Sequence, residues 1–174
     1  LERMRLHADR GESEKACSDL VEAYELISQK MKPGEMDTAK ALERACEATL
    51  SAINELNLTT IAPRFVLQRV SRMIDDLSKW KGKSESSADT VHVGIKGVIY
   101  ATLCTIVASR QQGLSSELLA IAPRYDSEAL IRKALQAIAA TSLPADYELF
   151  RNALKDANEC RRAAAIAGLV QSAN

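Results

Sequence analysis

The side chains best suited to chemistry are few and scattered. Two histidines, His7 and His92, lie 85 positions apart, and neither neighbours a serine or cysteine in the kind of strained turn that a nucleophile–base pair needs. Cys17, Cys46, Cys104 and Cys160 are separated by 29, 58 and 56 residues, unlike the close pairs of a zinc site. Each falls inside an apolar helical pattern, where a thiol behaves as a small hydrophobe, so four reduced, mostly buried thiols and a cytoplasmic, reducing setting are expected. Gly94 and Gly97 lack the Lys-Ser/Thr of a phosphate loop. Asp75-Asp76 is the one adjacent acidic pair between residues 61 and 83, and consecutive helical residues point about 100° apart, so it forms no dyad. Arg72–Asp76 and Asp75–Lys79 are expected to pair along the helix instead. This inventory leans against an enzyme and gives no catalytic residue, metal ligand or cofactor site.

Charge is more informative. The 174 residues hold 23 basic and 23 acidic side chains, a net of zero, which disfavours a general polyanion binder. The distribution is uneven. Residues 1–60 carry 8 basic and 12 acidic groups, whereas residues 61–83 carry 6 and 2. The basic block comprises Arg64, Arg69, Arg72, Lys79, Lys81 and Lys83, with Trp80, the single tryptophan, among them. A tryptophan flanked by lysines is suited to anchoring a protein partner, stacking on a base or meeting a membrane surface; the competing structural role is to cover the end of the bundle while the lysines stay solvated. Lys79, Trp80, Lys81, Lys83, Arg64, Arg69, Arg72 and Arg124 are therefore the candidate partner-binding residues.

Positioning these groups falls to helices. Apolar residues recur at helical spacing over 13–32 (Cys17, Leu20, Val21, Tyr24), 37–57 (Leu42, Cys46, Leu50, Ile53) and 63–80 (Val66, Val70, Met73, Ile74, Leu77). A short lead-in ends near Gly11, Pro33-Gly34 stops the next helix, and Pro63 opens the one at 63. Ser115 or Ser116 is expected to cap a short helix, and Asp126 or Ser127 the next. Pro144 restarts a helix that buries Leu149, Phe150, Ala153 and Leu154. The tail, with Cys160, Ala163, Ala164, Ala167 and Val170 as its stripe, either extends that helix or forms a final one after a bend near Asn158. No stretch reads as a strand, so the predicted class is all-α. Residues 81–90 are polar and aperiodic, the signature of a long mobile loop. Residues 91–107 are the most apolar stretch. At 17 residues, interrupted by His92 and Lys96, they are expected to form a surrounded core helix rather than a membrane span.

One element repeats. Ile61-Ala62-Pro63-Arg64-Phe65 recurs as Ile121-Ala122-Pro123-Arg124-Tyr125, which suggests helical hairpin units at about 36–80 and 90–141. Stacked units would give a HEAT-like solenoid. The polar loop and the very apolar helix favour a compact bundle of six to seven helices in a single domain, 1–174. Because the chain begins at Leu1, it is expected to be a piece of a longer protein. The leading functional expectation is a non-enzymatic helical adaptor or scaffold domain that binds a protein or self-associates. The alternatives are a viral or ribonucleoprotein-type domain using residues 64–83 on nucleic acid, and a helical domain of a bacterial secreted effector.

Overall fold

The computed structural model describes residues 2–29, 36–78, 88–124 and 127–172, and every regular element among them is helical. Ten α-helices follow one another: α1 Glu2–Asp9, α2 Ser13–Gln29, α3 Met36–Glu55, α4 Leu58–Ile61, α5 Pro63–Ser78, α6 Ala88–Ser109, α7 Ser115–Ile121, α8 Glu128–Thr141, α9 Tyr147–Ala153 and α10 Glu159–Ser172. Short 3-10 turns occupy Ala122–Arg124 and Pro144–Asp146. The excess over six or seven comes from short pieces such as the single turn α4. The chain forms two compact units, Leu1–Val98 and Ile99–Asn174.

In the first unit α1 lies on α2, α2 on α3, and α3 on α5. Gly11, at φ +72°, makes the left-handed turn between α1 and α2 that glycine adopts without strain. Arg3 spans the pair by donating to Asp19 and Glu22, while His7 Nδ1 bonds Glu12 Oε2 at 2.5 Å. The core comes from the predicted stripes: Cys17, Leu20 and Tyr24; Leu42, Cys46, Leu50 and Ile53; Val66, Val70, Met73 and Leu77. Glu43 of α3 is also buried. Ala62 leaves helical geometry at φ −142° and ψ 55°, and Pro63 restarts the chain as the first residue of α5. Leu50 explains Gly94: a Cβ there would stand 3.0 Å from Leu50 Cδ1, so glycine admits α3. Nothing lies within 4 Å of the equivalent point at Gly97.

In the second unit α10 is the central helix, packed by α7, α8 and α9. It turns Ala164, Ala165, Gly168 and Ser172 inward and leaves Ile166 and Val170 exposed, a rotation from the expected stripe. The cause is Phe150. Its ring passes over Gly168 so closely that a Cβ would meet it at 2.4 Å, and only small residues allow that approach. Of the residues expected inside α9, Phe150 alone is buried; Leu149 and Leu154 are exposed. Ser127 caps α8 by accepting from the Leu130 amide at 3.3 Å. Asn158 accepts from the Arg161 amide at 3.0 Å where α10 begins. Neither Ser115 nor Ser116 caps α7; buried Ser115 donates instead to Asp146 Oδ2 at 2.8 Å.

Helix α6 departs most from expectation. Ile99 and Leu103 are buried, yet Val93 is 68% and Tyr100 43% exposed, so the helix is not surrounded. It also continues to Ser109. Val91–Ser109 is 19 residues long with mean hydropathy 1.6, enough by length and composition to cross a membrane, and 39% of it is buried. Length therefore does not separate it from a span, as the shorter apolar stretch suggested. The proposed loop falls partly within α6, at residues 88–90, and otherwise outside the described residues.

Candidate functional site

The polar group most at odds with its surroundings is Arg69. It belongs to the inward face of α5, three residues after Val66 and four before Met73, and is only 4% exposed. Its guanidinium lies over the Tyr24 ring from α2, with Cζ 3.7 Å from the ring centroid. Such a stack contributes roughly 0.5–2 kcal/mol, more when shielded from water. Tyr24 is fixed in turn, since its hydroxyl donates to Asp76 Oδ2 at 3.2 Å, one turn from the end of α5. Cys46 of α3 completes the cluster. Burial pushes its thiol up to about 12 and also raises the Tyr24 phenol. Burial lowers the Arg69 guanidinium, opposed by Tyr24. Two of Arg69's donors, Nε and Nη2, are buried and have no hydrogen-bond partner.

Beside this cluster a surface cavity of about 160 Å3 is lined by Val21, Phe65, Gln68, Arg69 and Arg72. Arg72 is exposed and donates to Glu25 Oε1 at 3.0 Å; this cross-helix pair accompanies the Tyr24–Asp76 bond, which joins the same two helices. A larger depression, about 450 Å3, lies in the second unit between Tyr100 and α8. Its polar groups serve one another, Arg132 bonding Glu128 and Lys133 bonding Gln136 Oε1 at 2.9 Å.

The predicted basic block is thus divided. Arg64 is exposed, Arg69 is interior, and Arg72 is in an ion pair; Lys79, Trp80, Lys81 and Lys83 lie outside the described residues. Arg124, in the second unit, is partly buried in a 3-10 turn. The two copies of the repeated turn differ. Pro63 is buried and begins a helix, whereas Pro123 is exposed within the 3-10 turn; Ile61 is exposed and Ile121 buried. The order short helix, turn, amphipathic helix recurs, but the burial of Ile61 and Pro63 is the reverse of that of Ile121 and Pro123. Sequence reasoning missed the Tyr24–Arg69–Asp76 cluster. The signal was present: positions 66, 69, 70, 73 and 77 share one helical face, so Arg69 interrupts a core stripe. Among the described residues no group of three or more His, Cys, Asp or Glu gathers where it could hold a metal. Comparison of the chain with protein-family models, with curated proteins and with solved structures finds no match.

Proposed function

We propose that the chain is a non-enzymatic helical interaction domain, an adaptor or scaffold element that binds a protein partner or a second copy of itself. One observation carries this reading. Helix α10 faces its own unit with alanine and glycine and presents Ile166, 56% exposed, and Val170, 64% exposed, to solvent. At four residues' separation these two side chains are neighbours on the helix surface. Placing branched aliphatic residues outside and small ones inside forgoes the burial that would stabilise the unit, which suits a surface reserved for association. Tyr100, Tyr147, Leu149 and Leu154 add exposed apolar area in the same unit.

The test is Ile166→Asp with Val170→Asp. Sedimentation across a concentration series and affinity capture followed by mass spectrometry are measured for both proteins. Wild type is expected to self-associate or retain a defined partner, and the double variant to lose it while keeping its helical circular dichroism. Identical sedimentation and identical capture in the two proteins would refute the role of this face.

A further inference from the structure

We propose that His7 is a pH-operated latch, which fastens α1 to α2 when its ring is an imidazolium and loosens α1 when the ring is neutral. The ring sits between two carboxylates. On one side Nδ1 bonds Glu12 Oε2 at 2.5 Å, and on the other Nε2 faces Asp19 Oδ2 at 3.8 Å. The two contacts differ in kind. Glu12 follows Gly11 at the corner between the helices, and its amide donates to the His7 carbonyl at 2.8 Å, which ties both residues to that corner. Asp19 lies well inside α2, so the Nε2 contact is the one that reaches from helix to helix. Little else fastens α1. A helix of eight residues is not stable alone, and among its described side chains only Met4 is buried.

Proton counting makes the Nε2 contact conditional. A carboxylate only accepts hydrogen bonds, so Nδ1 carries a proton to serve Glu12. The neutral ring has no second proton, and its bare Nε2 turns a lone pair towards Asp19 Oδ2. That oxygen is buried and has no hydrogen-bond partner, a costly state for a charged acceptor. Protonation puts an N–H and a positive charge opposite it. His7 also stands in the last turn of α1, where the helix carbonyls favour a cation. The other charged groups around the ring are engaged: Arg3 donates to Asp19 and Glu22, and Lys15 Nζ lies 3.2 Å from Glu12 Oε1. Arg3 holds the Asp19 carboxyl below the usual carboxylate range, and the bonds from His7 and Lys15 do the same for Glu12. The carboxylates' contribution to docking is therefore complete above their ordinary values, about 4, and is lost only as pH falls through the lower folded ones. Histidine ordinarily changes charge near pH 6.5, so docking strengthens as pH falls through that range and weakens again in stronger acid.

The experiment follows the His7 ring nitrogens and the α1 amides of the full chain by NMR between about pH 8.5 and 5.5, with His7→Gln separating His7 from His92. At the upper pH the neutral ring should carry its proton on Nδ1. Hydrogen-exchange protection of α1, corrected for intrinsic exchange and referred to α3 and α5, should rise about 2–5-fold towards the lower pH, as for a partly exposed ion pair. His7→Gln should abolish the rise. Asp19→Asn should reverse it, because the amide NH2 can donate to the bare Nε2 but opposes an N–H there, while the amide oxygen still accepts from Arg3. Should Asp19→Asn release α1 altogether, the position of the ring proton and the His7→Gln comparison decide. A neutral ring protonated on Nε2, α1 protection that does not change with pH, or a rise that survives either substitution overturns the proposal.

Discussion

Cys46, Tyr24 and Arg69 share one interior, and their protonation ties stability to pH. In the native state burial holds the Cys46 thiol at about 12 and the Cys17 thiol at about 11, against roughly 8.5 for a thiol in an unfolded chain. Both folded values are raised, so the contribution to stability is complete below about pH 8.5. It is lost as pH rises towards the folded values, because the unfolded chain releases protons that the native core retains. Each group adds at most about 1.4 kcal/mol per pH unit to that loss. Urea melts at pH 8 and pH 10 should show a smaller decline for Cys46→Ala than for wild type; equal declines would place the thiol in water. By the same argument, the buried thiols should react with a thiol reagent far more slowly in the native protein than in urea. The pair that stays partly accessible, Cys104 and Cys160, should account for whatever fast phase the native protein shows.

At the scale of an element, two glycines in helices make opposite demands. Gly168→Ala would set a Cβ 2.4 Å from the Phe150 ring, and overpacking of that kind destabilises by about 1–3 kcal/mol. Gly97→Ala meets nothing within 4 Å and removes backbone freedom from a helix interior, so it should stabilise by about 0.5–1 kcal/mol. Thermal and urea unfolding of the two variants must differ in sign. Phe150→Leu should remove most of the Gly168→Ala penalty in a double-mutant cycle. Leu103, fully buried in α6, should lose about 2–5 kcal/mol on truncation to alanine. These contrasts also show how much of the fold the sequence made legible. Pro63, Ser127 and Asn158 mark helix starts by backbone chemistry that acts locally, and all three were readable. The orientation of α10 was not, since a run of alanines offers no hydrophobic contrast and the face is chosen by the shape of Phe150. Arg69 was readable by position and misread by charge. A cation in a core stripe looks like a surface residue until a tyrosine from another helix supplies its cover. The 91–107 stretch misled in the other direction, because composition alone does not say which neighbours are present to cover a face.

For the molecule as a whole, the question is whether a neutral chain can use its one basic segment on a polyanion. Six cations between residues 61 and 83 would, if all met phosphates, give a salt slope near −4 on single-stranded nucleic acid. Arg69 is withdrawn into the core, and Arg72 is held by Glu25 at 3.0 Å. With these two withdrawn, at most four cations of the block remain to meet phosphates, so the slope is no steeper than about −3. Over a rise from 50 to 200 mM salt this is a fall of about 50-fold in affinity, against about 300-fold for six contacts. Fluorescence anisotropy with a labelled oligouridine 20-mer separates the two. Weak binding with the shallower slope is expected, with dissociation constants above about 10 μM at 150 mM salt. Arg69→Gln should leave that slope unchanged, because a residue stacked in the core contributes no phosphate contact. A slope of −4, reduced by about one on Arg69→Gln, would put Arg69 on the surface. It would also move the balance from a protein partner to nucleic acid.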